Sequence, residues 1–460
     1  MNYCYMSSII TAGTLLVAGI NRKLHISKPS NVHIMNRKLS IISIIAFFAM
    51  ACMTSCGGGS INSIQDPNFG EDGEPYDTLT IFTPAPPQSV KLYIETSGSM
   101  NGFFRANQAN KFKKTVWSVF SGVLGLTDGN VYPMSNGGDI DTPVRTGDFR
   151  AKMNKGEFVS NTSTHIPAML INIIQNMDTT KNEVAILVSD MKYSPMGADA
   201  APQLSQYQEQ IRNIVFYFPN ISISFVCAGS EFIGKSGQIE AYDSPYYFII
   251  LGKSESVAAV RNDISRWCEA SDSYIESGDM AMNYHTPDFS ILDVKNGMLH
   301  SSYKTVITTF DREVSDTCSF VLRVKMEGYP WSAVDENILE SCLDVKTVYG
   351  SSVSAELLKT PDHLVDDHHY KNEFKRMSYA DFLVKLYNVA LDDEVIECTF
   401  NNRPFDGLYV NTFNSIITAK DENDITGSFS FDKFIEGCFN ARLNTSDEKP
   451  IRILVSSSQE

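Results

Sequence analysis

Five consecutive apolar residues, Val184-Ala185-Ile186-Leu187-Val188, run directly into Ser189-Asp190. The run is too short for a helix and does not alternate, so neither face is left for water. It reads as a strand buried on both faces, which requires a sheet covered by helices on each side. The flanking sequence supplies such elements. Val90-Lys91-Leu92-Tyr93-Ile94 reads as a second short strand, and Phe112, Val116, Val119, Phe120 and Val123 recur at helical spacing. Leu204, Tyr207, Ile211 and Ile214 predict another helix, residues 221–227 and 246–251 two further strands, and Val257, Val260, Ile264 and Trp267 a last helical stripe. Alternating strands and helices over residues 90–271 predict an α/β domain: a mostly parallel sheet with helices on both faces.

Past residue 272 the texture changes. Residues 306–310, 320–324, 343–349, 395–400 and 451–455 read as strands separated by polar turns. Residues 431–443 read as one late helix, and 379–390 fit either element. Residues 272–460 are therefore expected to form a β-rich, sandwich-like C-terminal domain. Two folded domains suit a chain of 460 residues, at roughly 100–200 residues per domain.

The N-terminus carries Met35-Asn36-Arg37-Lys38, then an apolar run over residues 39–51 broken only by Ser40 and Ser43. Thirteen such residues fall short of the about 20 that span a bilayer but suit the apolar core of a secretory signal. The run ends in Met53-Thr54-Ser55-Cys56, which resembles the lipobox of bacterial lipoproteins; the resemblance implies that Cys56 is lipidated. Residues 1–55 are thus leader and signal peptide. Residues 1–34 hold an apolar patch of their own ahead of the signal, which suggests Met35 as the initiator. Residues 56–89, rich in Gly, Pro and Asp, read as a flexible tether with a random-coil reach of about 30 Å. The expected location is the cell envelope, lipid-anchored to a membrane and either periplasmic or surface-exposed. Six cysteines follow Cys56, at 227, 268, 318, 342, 398 and 438. Their wide spacing gives no zinc or redox motif, and Cys227 and Cys268 lie in apolar surroundings expected to bury them.

The leader holds five basic side chains and no acidic one, leaving 33 basic against 54 acidic residues beyond it. A surface this acidic repels phosphate backbones, which excludes general nucleic-acid binding and suits a divalent cation or a basic partner.

The strand at 90–94 runs straight into Glu95-Thr96-Ser97-Gly98-Ser99-Met100. Ligand sites in α/β sheets lie beyond the carboxyl ends of strands. A carboxylate and two hydroxyls at alternate positions of such a turn are hard oxygen donors of the kind Mg²⁺ or Ca²⁺ takes.

At these residues the sequence resembles the von Willebrand factor A (vWA) family, a Rossmann-like α/β fold. Its metal-ion-dependent adhesion site reads Asp-x-Ser-x-Ser, then a distant Thr, then a distant Asp. Ser97 and Ser99 match the serines, Thr164 before His165-Ile166-Pro167-Ala168 matches the threonine, with Thr162 as fallback, and Asp190 ends the apolar run. The resemblance covers about 180 residues. It implies that Glu95, Ser97, Ser99, Thr164 and Asp190 hold a divalent cation, Mg²⁺ foremost, with one coordination position open for an acidic residue of a protein partner. That chemistry is binding, not catalysis. The departure is Glu95 where the family has Asp: one extra methylene moves the carboxylate by about 1.5 Å. Two readings follow, a longer arm that still serves the ion and a site that has lost it. The first makes the chain a membrane-anchored protein-binding module. The second makes it a metal-free assembly subunit whose C-terminal domain makes the contacts.

Three other features are weighed against plainer explanations. Residues 229–236 match GxxxxGK[ST], but Gly237 and Pro245 follow where a P-loop needs a helix, so a turn is expected. His363, His368 and His369 cluster without helical placement and are expected in a solvated loop. His165 is expected to be a rim or packing residue, not a ligand.

Overall fold

The computed structural model describes residues 69–457, apart from 71–72, 77–78, 106–108, 179, 194, 196–199, 311–316, 331–335, 359–363, 367–374, 388–392, 402–418, 420, 422 and 443–448. Cys56 and the leader therefore lie outside the described residues, as do His363, His368 and His369.

The first half is mixed α/β. Its strands are β1 (Ser89–Glu95), β2 (Thr127–Ser135), β3 (Glu183–Ser189), β4 (Ser222–Ile233), β5 (Ile239–Gly252) and β6 (Tyr274–Ala281). Its helices are α1 (Lys111–Gly122), α2 (Thr146–Lys155), α3 (Ile166–Asn176), α4 (Tyr207–Tyr217) and α5 (Ser254–Ala270). The sheet runs β2-β1-β3-β5-β4-β6, with two-residue strands at 139–140 and 144–145 on the outer side of β2.

β1 lies parallel to both β2 and β3, while β3–β5, β5–β4 and β4–β6 are antiparallel. The expectation of a mostly parallel sheet is corrected here. β4 and β5 form one long hairpin that turns at Gly234–Gly237, where Gly237 has φ +80° and its N–H donates to Gly234 O at 3.0 Å. A hairpin must return antiparallel, and the returning strand β5 inserts between β3 and β4. The P-loop-like residues 229–236 are thus the end and turn of this hairpin.

Helices do cover both faces. Leu92, Ile94, Ile186, Val188 and Phe248 point to the side packed by α1, α2 and α5. Their neighbours Tyr93, Ala185, Leu187 and Ile249 point to the side packed by α3 and α4. Full burial of every residue of β3 explains its unbroken apolar run.

Residues 289–457 add two larger sheets and a two-stranded one that pairs Leu364–Asp366 with Lys375–Met377. One orders β7 (Phe289–Lys295), β10 (Thr317–Lys325), β13 (Tyr379–Tyr387) and β12 (Ser352–Leu357) as β7-β10-β13-β12. The other orders β8 (Gly297–Leu299), β9 (Val306–Thr309), β15 (Ile451–Ser457), β14 (Glu394–Phe400) and β11 (Leu343–Thr347) as β8-β9-β15-β14-β11. Phe320, Leu322, Phe382 and Val384 of the first sheet share a core with Ile307, Ile396, Ile453 and Val455 of the second, which is the packing of a sandwich. The ambiguous stretch at 379–390 is resolved as strand β13.

The last helix, α6 (Phe431–Arg442), does not stay with the sandwich. Phe434, Ile435 and Cys438 belong to the apolar layer on the α/β sheet, and the Phe431 ring packs tilted on Tyr247, centroids 4.2 Å apart. The tether is also shorter than expected. Phe69 is buried, Ile81–Phe82 pair with Thr286–Pro287, and the Gln88 N–H reaches Asn182 O at 2.8 Å. The six cysteines beyond Cys56 are all buried.

Candidate functional site

Glu95 is the last residue of β1, and its neighbour bends the chain. The backbone N–H and the hydroxyl of Thr96 both donate to Met134 O at the end of β2, at 2.9 and 3.0 Å. Ser97 stays extended, at φ −76° and ψ 172°, and a single 3-10 turn over Gly98–Met100 follows. Met100, Phe103 and Phe104 are buried and pin that turn to the core. The Gly98 N–H donates to Thr162 O at 2.9 Å. Asn101 gives its side-chain amide to Ser160 O at 2.6 Å and takes the Ser160 N–H at 2.8 Å. The loop that carries Thr164 is held against the turn in this way.

Asp190 arrives from the other side. Met191 adopts φ +55°, its N–H donating to Ser189 Oγ at 2.8 Å, and the Lys192 N–H donates to Asp190 Oδ1 at 3.2 Å. This tight local turn fixes the carboxylate just past the end of β3.

Three segments distant in sequence thus meet in one cluster. Thr164 Oγ1 donates to Glu95 Oε1 at 2.6 Å, and the Ser189 hydroxyl donates to Glu95 Oε2. Ser97 and Ser99 bond each other through their hydroxyls at 2.9 Å. The Ser97 hydroxyl also supports Glu95, and that of Ser99 supports Asp190. Glu95, Ser97, Thr164 and Asp190 are at most 2% exposed, and Ser99 is half-buried. All five residues expected from the sequence are brought together, Ser99 being the most exposed of them.

The electrostatics of the cluster are strained. Burial, and then the negative charge of Asp190, push the Glu95 carboxyl up to about 7, against the pull of the Ser189, Ser97 and Thr164 hydroxyls. Burial also raises Asp190, opposed by the charge and N–H of Lys192 and by the Ser99 hydroxyl. Asp190 Oδ2 is buried and accepts no hydrogen bond, the Lys192 N–H going to Oδ1. A buried carboxylate oxygen left unpaired is costly, and a proton or a cation removes the cost.

The donor set fits a hard cation. Adjacent oxygens around Mg²⁺, each about 2.0–2.1 Å from the ion, stand about 2.9 Å apart. The Ser97–Ser99 and Thr164–Glu95 oxygens are separated by 2.9 and 2.6 Å. Two carboxylates and three hydroxyls make a set poor in charge. Among the described residues, no group of three or more His, Cys, Asp or Glu side chains gathers anywhere.

Several contributors carry no motif. Ser189 is hidden inside an apolar strand, although its place one residue before Asp190 is a usable signal. A segment from the far end of the chain borders the site as well. Lys192 Nζ donates to Asp424 O at 2.7 Å, and Ser428 Oγ donates to Asp190 O at 2.8 Å. Nothing local in residues 424–428 announces this. His165, next to Thr164, packs against Tyr193 with rings 5.5 Å apart. It caps α3 by accepting the Ala168 N–H at Nδ1, at 3.2 Å, and its other ring nitrogen lies 3.5 Å from the Tyr193 hydroxyl.

No protein-family model, curated protein or solved structure matches this chain.

Proposed function

We propose that the chain is a lipid-anchored protein of the cell envelope that binds a protein partner through a vWA-like domain. The site is a Mg²⁺ centre held by Glu95, Ser97, Ser99, Thr164 and Asp190. The observation that carries this reading is the convergence of those five residues at the carboxyl ends of parallel strands around an unpaired, buried Asp190 oxygen. The ion neutralises the two carboxylates and offers an acidic group of the partner a point of attachment beside Ser99. The chain's own part is to hold the donors: Thr96 and Asn101 fix the turn, Ser189 orients Glu95, and the Met191 turn orients Asp190. The hydroxyls of Ser97 and Ser99 bond each other, and those of Thr164 and Ser189 bond Glu95, which holds these oxygens in place as ligands.

Envelope extract passed over the immobilised protein tests this reading. A partner retained in Mg²⁺ is expected to be released by chelator and lost with the double variant Ser99→Ala, Asp190→Ala. Equal retention in all three cases would remove the metal from the account.

One observation favours a second reading, a metal-free assembly subunit. Both Glu95 oxygens already accept hydroxyl hydrogen bonds, and a carboxyl near 7 is about half protonated at neutral pH. The network can therefore close without an ion, and the sandwich would then carry the contacts.

A further inference from the structure

The strongest unassigned surface is the outer face of the five-stranded sheet. Ile307, Ile396, Ile453 and Val455 point into the core shared by the two sheets. By strand alternation their neighbours Val306, Val395 and Leu454 point outward, where they form a small cluster with Phe69, and Tyr303 packs beside it. Alternation also places Thr308 and then Phe310 on this outer face, Phe310 extending the ladder through its N–H to Asn296 O at 3.2 Å. Met298 is the cross-strand partner of Thr308 and lies on the same face. The apolar face therefore continues from Phe69, which is covered, to Met298 and Phe310, which are 56% and 55% exposed.

Two independent facts say what covers that exposed end. The first is charge. The chain carries 54 acidic residues, yet none lies between Asp293 and Asp311, and Lys295 and Lys304 in that stretch are exposed, the Lys304 ammonium over the Phe289 ring at 4.9 Å. The second is chain length. Twelve residues separate Cys56 from Phe69, a span of at most about 45 Å when fully extended. That is less than the width of about 55 Å expected of a compact body this size. A lipid on Cys56 therefore keeps the Phe69 face from being turned fully away from the bilayer.

We propose that the face bearing Met298 and Phe310 rests on the membrane, its apolar side chains at the headgroup boundary and Lys295 and Lys304 among anionic headgroups. This rests on the reading of Cys56 as the lipidated residue. An apolar patch flanked by lysines is the chemistry of peripheral membrane contact, and one lipid chain with a second weak attachment holds far better than the chain alone.

The test uses the full lipidated protein in vesicles of phosphatidylcholine and phosphatidylglycerol. Met298→Cys and Phe310→Cys each carry a polarity-sensitive fluorophore, with Tyr217→Cys and Tyr242→Cys as exposed positions elsewhere. The expected result is a blue shift and at least twofold quenching by brominated lipid at positions 298 and 310 only. Protein that floats with the vesicles while both labels emit as in water would overturn the proposal and leave the anchor standing. A blue shift that needs no vesicles and grows with protein concentration would assign the face to a second copy of the chain and overturn it too. Protein that neither floats nor shows lipid on Cys56 by mass spectrometry would overturn the anchor and the proposal together.

Discussion

The central sheet has two halves built on different principles. In β2-β1-β3 the strands run parallel, so their carboxyl ends emerge on one edge and each leads into a turn that can present side chains there. Glu95, Thr164 and Asp190 gather at that edge. In β5-β4-β6 every neighbour is antiparallel, carboxyl and amino ends alternate, and no such gathering follows. What that half holds instead is a structural lock. Arg261 on α5, fully buried, pairs with Asp279 on β6 and gives its other guanidinium nitrogen to Gly328 O at 2.9 Å, while the Tyr284 hydroxyl donates to Asp279. The parallel half concentrates unneutralised charge, and the antiparallel half neutralises its own and ties it to the sandwich. The candidate site and the lock thereby fall on opposite halves of one sheet.

The largest expected effect breaks the lock. Arg261→Leu leaves Asp279 buried with only the Tyr284 hydroxyl, and losing one partner of a buried pair costs about 3–5 kcal/mol. Chemical denaturation should show that loss, while cation affinity of the folded protein stays unchanged. A matching loss of affinity would show that the halves are not separable.

The second prediction concerns pH. The Glu95 carboxyl has its value raised from 4.5 to about 7, so the folded protein binds the extra proton. Without a cation, the stability that Glu95 contributes is therefore fully present below about 4.5 and is lost as pH rises through about 7, by at most about 3 kcal/mol. Glu95→Gln should flatten the profile, and saturating Mg²⁺ should reverse its slope by competing with the proton. Melting temperatures across pH 4–8 check both outcomes.

A smaller effect probes how the late helix is seated on the sheet. A Cβ on Gly437 would lie 2.6 Å from Gln208 O and 2.8 Å from Ile211 Cβ. Gly437→Ala should therefore push α6 off α4 at a cost of about 1–3 kcal/mol. Smallest is Ser428→Ala, which removes one hydrogen bond to Asp190 O at about 1 kcal/mol. If that bond helps aim Asp190, cation affinity falls as well; if affinity is unchanged, the border segment is packing alone.

The same division explains what the sequence disclosed. β1, β3, α1, α5 and the five site residues were legible because burial on both faces writes an unbroken apolar run and because hydroxyl and carboxylate donors at a strand end are chemically conspicuous. β2 was not, since Gly129, Asn130 and Pro133 interrupt its pattern and its pairing with β1 supplies what propensity lacks. The extent of the β4–β5 hairpin was hidden because Glu240, Tyr242 and Asp243 on the returning strand are exposed. The order of strands was illegible for a further reason: inserting β5 between β3 and β4 is decided by long-range pairing, which no local window contains. The same holds for α6 and Ser428, whose partners lie more than 200 residues away.

The central claim is that the carboxylate and hydroxyl cluster is a cation site. Calorimetric titration of Mg²⁺ into the protein at pH 7.5, beside Asp190→Ala, tests it directly. The account predicts binding between micromolar and millimolar affinity that vanishes in the variant. No heat of binding, together with a melting temperature that Mg²⁺ leaves unchanged, would contradict it and leave a closed, proton-stabilised network in place of a metal centre.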